Sequence, residues 1–398
     1  MAQKLIYVIL DGAADKPIKE LGNKTPLDYA VKPYLDSLAK YSKLGTIPVI
    51  RSDIAPESDE AMLALLGFNP FKYATGRGPL EALGSGVIDN IKNEIILRCN
   101  FAKEENSFIT ETEAIPTNAE MKKIVNLLNT IGEIKGVKTQ FVPTVGHRAV
   151  LILKGKGLSA KISPTNPSYV IRQGFVTTAM PKINLRHTTS KPLDKTPESA
   201  KTAQVINSWH EAARKILVAH KFNSTNIILS RGAGSRFPKL KKLKGRWALL
   251  ADMPVEKAIG KLCGMKILES SNLKKSADTI LKNLNKFDCF YIEIKGPDAF
   301  AHRADFEGKT NVIEKIDHEF FRPLLSKLLQ PGTDVKICIL ADHTTSCATK
   351  SHTSDPVPVL IYEPGAANDN IHKYGEYQCA QGSLRFKSAV QLFEYLTW

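Results

Sequence analysis

At 398 residues the chain exceeds the usual single-domain length, and 43% apolar with 24% charged residues is ordinary globular composition, so one large domain plus a second, smaller one is expected. Six cysteines (Cys99, Cys263, Cys289, Cys338, Cys347 and Cys379) are scattered without CxxC spacing, which argues against a disulfide framework and for reduced thiols in a cytoplasmic protein. The net charge of +15 suits a nucleic acid, an anionic metabolite or a Lys-rich surface. Its densest run, residues 236–246, carries no helix-turn-helix, zinc-knuckle or aromatic-interleaved pattern, which disfavours nucleic acid.

In chain order, MAQKLIYVILDG holds too few apolar residues before Asp11 for a signal segment or a membrane span, and reads as a first strand over residues 5–10. Asp11 then stands where a parallel strand delivers a ligand, although an Asp capping a following helix has the same local sequence. Residues 25–43 show helical spacing and 45–50 a short strand. In APESDEAMLALLG, Ser58 opens a helix built on Met62, Leu63, Leu65 and Leu66. An N-cap and a nucleophile placed among oriented N–H groups both predict that pattern. Residues 73–86 read as a Gly-rich loop around Arg77 that does not fit GxxxxGK[ST], so a nucleotide P-loop is not expected.

From Glu94 the character changes. Residues 95–97 and 149–154 read as strands, the second preceded by His147-Arg148. Residues 120–131 and 200–218 read as amphipathic helices, and 155–195 as long loops. Residues 226–230 form a strand opening into Arg231-Gly232-Ala233-Gly234. We expect residues 85–245 to be an inserted α+β domain, with 1–84 and 246–398 forming one discontinuous catalytic domain. The last third alternates strands (248–250, 287–294, 335–340, 357–362) with helices, implying an α/β fold with a parallel sheet and helices on both faces.

Three strand ends in that frame carry chemistry. Asp298 and His302 are four apart and project from one face of a helical turn. Asp342 and His343 directly follow the apolar run of 337–340, and His352 comes nine residues later. With Asp11 and Ser58 these make three Asp, three His and one Ser, a mixed carboxylate–imidazole set suited to Zn²⁺ or Mn²⁺ and too large for one ion. Two ions close together stabilise an in-line phosphoryl displacement and activate a serine hydroxyl.

The blocks IYVILDGAAD, APESDEAMLALLGFNP, YATGRGPLEALGSG, LRCNF, GHRAVLIL, SRGAG, IKGPDAFAHRADFEGK and ADHTTSCATKSHTSDPVPVLIY span nearly the whole chain. Together they resemble the archaeal-type cofactor-independent phosphoglycerate mutases of the alkaline phosphatase superfamily. The resemblance implies a metal-binding phosphatase-like core and an inserted domain that binds and turns the glycerate, with no use of 2,3-bisphosphoglycerate. It implies Ser58 as the phosphoryl acceptor in a 2-phosphoglycerate/3-phosphoglycerate interconversion. One divalent ion would be held by Asp11, Ser58, Asp342 and His343, and a second by Asp298, His302 and His352, with Mn²⁺ foremost and Co²⁺ or Zn²⁺ as alternatives. Arg231, Arg148 and Lys257 occupy positions where the family has basic residues for the substrate. The chain departs from the family after LRCNF, where an Arg-rich segment is replaced by FITETEAIPTNAEM, and where a DTDP-like stretch becomes Ser163-Pro164-Thr165-Asn166-Pro167. Arg172, Lys182 and Arg186 are nearby basic residues able to compensate. The competing enzyme reading is a related two-metal phosphatase or phosphotransferase acting on another small phosphorylated acid. The oligomeric state is left open.

Overall fold

The computed structural model describes residues 3–172, 175–178 and 184–397. Contacts divide the chain into two units: 1–73 with 240–252 and 259–398, and 74–239 with 253–258. The expected boundaries at 84/85 and 245/246 thus lie about a helix away from those of the contact units. Residues 77–84 form a helix, not a Gly-rich loop, and the absence of a Cβ at Gly78 lets that helix approach the carbonyl of Ile96 in the second unit.

In the first unit, strands Lys266–Ile267, Trp247–Leu250, Cys289–Ile294, Lys4–Leu10 and Val335–Leu340 lie side by side and parallel. Leu5 to Leu10 and Val335 to Leu340 are buried on both faces of the sheet, so helices must cover both sides. Helices Pro33–Ala39, Leu273–Asn283, Phe306–Ile316 and Arg322–Leu328 pack together as one group, and Ser58–Leu65 with Ala389–Thr397 as another.

Strand Val357–Tyr362, expected parallel, runs antiparallel to its neighbour, and Ser42–Ile47 pairs beyond it. A parallel return needs a crossover, usually a helix. The stretch from Ala341 to Pro356 is instead spent on a hairpin, Thr344–Ser346 with Ser351–Thr353. The helix expected over 25–43 is two short ones, Pro26–Tyr29 and Pro33–Ala39. Pro33 starts the second, and a residue before proline is disfavoured in helical geometry.

The second unit is α+β. Its antiparallel sheet centres on Glu94–Glu105, flanked by Arg148–Lys154 and Ile227–Gly234. Ile95, Leu97, Cys99 and Phe101 alternate onto one face, where Ile124 and Leu128 of helix Asn118–Asn129 and Trp209 and Leu217 of Pro197–His220 cover them. The expected loops of 155–195 contain a hairpin, Tyr169–Arg172 with Phe175–Thr178. No described helix is long and apolar enough to cross a membrane.

Candidate active site

All seven predicted metal-type residues belong to the first unit, at or just beyond the carboxyl ends of its parallel strands or on the loops nearby. Asp11 follows Lys4–Leu10, and Asp342 and His343 follow Val335–Leu340. Asp298 and His302 sit in the short helix Pro297–His302 that follows Cys289–Ile294. His352 lies in the hairpin strand Ser351–Thr353, and Ser58 is the first residue of helix Ser58–Leu65.

Among the described residues, two groups present donor atoms that all lie within 4.8 Å of one another: Asp11, Asp342 and His343, and Asp298, His343 and His352. His343 therefore belongs to both. Its Nε2 is 3.0 Å from Asp342 Oδ2 and 3.5 Å from Asp11 Oδ1, and its ring stacks on His352 at 3.7 Å. Asp298 Oδ1 faces His302 Nε2 at 3.2 Å and His352 Nε2 at 3.3 Å, so His302 joins the second group.

The far nitrogens decide what those near ones offer. His302 Nδ1 lies 2.8 Å from the Lys350 carbonyl, and His352 Nδ1 lies 2.8 Å from that of Pro56. A carbonyl only accepts, so each Nδ1 carries a proton. In the neutral ring, each Nε2 then turns a lone pair toward a carboxylate. Lone pairs facing carboxylates repel unless a cation sits between them, and ligating imidazoles are commonly fixed by such an outer hydrogen bond. Asp342 Oδ2 and His343 Nε2 are also buried without a hydrogen bond, although close together. The donor set fits divalent cations on these grounds.

Electrostatics agrees. Burial opposes charge on His343, but Asp342, helped by Asp298 and Asp11, outweighs it and lifts the imidazole to about 9. Burial raises Asp11 to about 7 against the pull of Lys295. Burial also works against ionised Asp298, yet His302 and His352 hold it well below the usual carboxylate range. Left alone, the cluster holds a proton where a cation fits.

The two residues before Ser58 touch this group. The Pro56 carbonyl anchors His352, and Glu57 Oε1 lies 3.7 Å from the same nitrogen. Behind the cluster, Lys309 is wholly buried and donates to Asp15 Oδ2 and to the carbonyls of Ala14 and Thr345. It ties the segment after Asp11 to the segment after His343. Lys309→Met is expected to cost about 3–5 kcal/mol, since Asp15 loses its buried counter-charge. A lowered melting temperature in a thermal scan checks this, and an unchanged one refutes it.

The second unit carries a different cluster. Arg98, which sequence reasoning passed over, lies directly opposite Arg231 across the antiparallel pair, and like charges so placed are destabilising. Burial, then Arg231, Arg148 and Arg77, push the Arg98 guanidinium down to about 9, with Glu81 acting the other way. Arg98 Nη2 meets His147 Nε2 at 3.2 Å, and Arg231 stacks over Tyr169 at 4.1 Å. Cations gathered in this way have the charge and the hydrogen-bond donors to receive an anion. The signal for Arg98 was a charged residue inside an apolar strand, on the face opposite Leu97 and Cys99.

Arg231 is buried, and it lies inside strand Ile227–Gly234, with a register shift after it, rather than just beyond the strand's end as expected. Gly232 and Gly234 make room for the Arg77 segment: a Cβ on Gly232 would lie 2.8 Å from that of Arg77, and one on Gly234 2.3 Å from the Thr75 carbonyl. Arg148 Nη1 contacts Met253 Sδ at 3.0 Å, and Lys257 lies in the same 253–258 segment. Arg186 stacks on Phe108 at 5.1 Å. The Arg172 side chain and all of Lys182 lie outside what the structure describes.

Residues 39–223 match the family model described as 2,3-bisphosphoglycerate-independent phosphoglycerate mutase. The protein of that name from Methanosphaera stadtmanae is 34% identical, over 96% of this chain and 94% of its own length. The chain belongs to this family. Its member from Methanopyrus kandleri is 32% identical over all of this chain and 96% of its own. Among solved structures, the cofactor-independent phosphoglycerate mutase from Thermoplasma acidophilum has 27% identity and a TM-score of 0.60, covering 99% of this chain and 98% of its own. A protein from Pyrococcus horikoshii has 25% identity and a TM-score of 0.72, covering 96% of this chain and 92% of its own.

Proposed function

We propose that this chain interconverts 3-phosphoglycerate and 2-phosphoglycerate through a phosphoserine at Ser58, as a cytoplasmic isomerase of glycolysis and gluconeogenesis. Family membership supports the reaction, and the observation that carries the chemistry is the set of imidazole Nε2 lone pairs facing carboxylates beside the Ser58 helix. Asp11, Ser58, Asp342 and His343 would hold one divalent cation, and Asp298, His302 and His352 the other, with Mn²⁺ favoured over Co²⁺ or Zn²⁺. Bound cations supply a lowered serine pKa and screening of the transferring phosphoryl charge.

The chain's own residues do the rest. Ser58 Oγ gives up its proton and bonds to phosphorus, while the substrate's ester oxygen leaves and is protonated. The freed glycerate turns and its other hydroxyl takes the phosphoryl group back, so no 2,3-bisphosphoglycerate is needed. Turning without release requires a grip on the carboxylate, which the paired guanidinium forks of Arg98 and Arg231 provide, with Arg77, Arg148 and Lys257 as further cations.

The test is turnover of 3-phosphoglycerate after chelation, with Mn²⁺, Co²⁺ or Zn²⁺ added back. Accumulation of inorganic phosphate in place of 2-phosphoglycerate would mean a phosphatase. Arg231→Lys is expected to lower kcat/KM about tenfold or more, because a point charge cannot replace the fork. The stabilisation of the protein by 3-phosphoglycerate in a thermal-shift assay should shrink with it. A lowered melting temperature with normal kcat/KM would make Arg231 structural.

A further inference from the structure

Thr345 is wholly buried, in the short hairpin strand Thr344–Ser346. Its hydroxyl stands between the two donor groups: Oγ1 donates to Asp298 Oδ1 at 2.8 Å and lies 2.9 Å from His343 Nδ1. A hydroxyl has one proton. An ionised Asp298 only accepts, so that proton goes to Asp298, and the His343 contact runs the other way, with Nδ1–H donating to Thr345. His343 Nε2 is then the nitrogen left to face Asp342 and Asp11. One oxygen thereby sets the tautomer of an imidazole common to both groups and the orientation of a carboxylate in the second.

The surroundings hold that oxygen in place. Thr345 N donates to the Ala14 carbonyl at 3.0 Å, and the Thr345 carbonyl accepts from Lys309 Nζ at 2.8 Å. Opposite stands Gly12, at φ 59°, where a Cβ would lie 2.6 Å from Thr345 Oγ1 and 2.7 Å from Asp298 Cβ. Its backbone N–H also donates to Asp342 Oδ1 at 2.9 Å. Only a residue without a side chain lets the two groups close around the hydroxyl.

We propose that Thr345 is a positioning residue that sets both cation sites at once, through its bonds to His343 and Asp298. The proposal rests on the two-cation reading above and adds to it a prediction that substitution of a ligand confined to one site does not share. Removing a ligand of one site weakens that site most, whereas removing the Thr345 hydroxyl weakens both.

The test titrates Mn²⁺ alone into metal-stripped full-length protein, following free Mn²⁺ by electron paramagnetic resonance. Wild type is expected to take up two ions. Thr345→Val, close in shape, deletes both hydrogen bonds and leaves His343 free to move its proton to Nε2. Affinity for both ions should fall about 10- to 100-fold, the usual cost of losing an outer-shell partner. Thr345→Ala removes the same bonds without crowding and should show the same loss, and Thr345→Ser should bind as wild type. Circular dichroism of each metal-free variant reports folding separately. Two ions bound by folded Thr345→Val or Thr345→Ala with wild-type affinity overturn the proposal, as does weakening of one ion alone, or a Thr345→Ser loss equal to that of Thr345→Ala. Fewer than two ions on wild type would overturn the two-cation reading itself, and the proposal with it.

Discussion

Ser58→Ala is expected to lower mutase kcat by about 10⁴-fold or more, because the acceptor oxygen is lost and nothing replaces it. Three observations converge on this residue. It opens a helix, where backbone N–H groups point outward and favour an arriving phosphoryl anion. It is half-buried, so its hydroxyl is not sealed in the core. Its preceding residues, Pro56 and Glu57, touch the ring of His352. The N-cap role open in the sequence falls to Glu57, which makes no side-chain cap, so Ser58 is not needed to start the helix. Stability should therefore stay within about 0.5 kcal/mol of wild type. Conversion of 3-phosphoglycerate followed by phosphorus NMR measures the first effect and a denaturation curve the second. Sizeable turnover by a folded Ser58→Ala protein would remove the phosphoserine step from the mechanism.

Asp298→Asn should cost about 10³-fold in kcat/KM and reduce bound Mn²⁺ from two ions to one. Asp298 Oδ1 is the point where His302 Nε2, His352 Nε2 and Thr345 Oγ1 converge, at 3.2, 3.3 and 2.8 Å. The amide keeps the shape but removes the charge that two imidazole lone pairs require a cation to offset. Asp11, Asp342 and His343 remain together, so the first ion should stay. Metal analysis of the variant after dialysis gives the stoichiometry directly. Retention of both ions at wild-type affinity would show that Asp298 is an outer residue, and the second site would have to be rebuilt around other donors.

Much of the donor cluster was legible in the chain because its signals are local. An apolar strand that stops at an acidic residue can be read from a few neighbours, and that is how Asp11 and Asp342 stood out. Asp298 and His302 showed the four-residue spacing of one helical face. The motif blocks, spread over the whole length, also carried the family. What lay beyond the sequence depended on which segments become partners. Nothing near Arg98 announces that Arg231 will stand across from it, since register is set by the pairing of strands more than a hundred residues apart. Nor does the sequence show that Gly232 and Gly234 make room for the helix bearing Arg77, since packing decides it. The reversed direction of Val357–Tyr362 followed from a hairpin taking the place of a crossover. Proton positions came last of all: whether an imidazole offers Nε2 or Nδ1 is decided by the acceptor behind it. For His302, His343 and His352 those acceptors are Lys350, Thr345 and Pro56, which folding, not sequence spacing, brings to them.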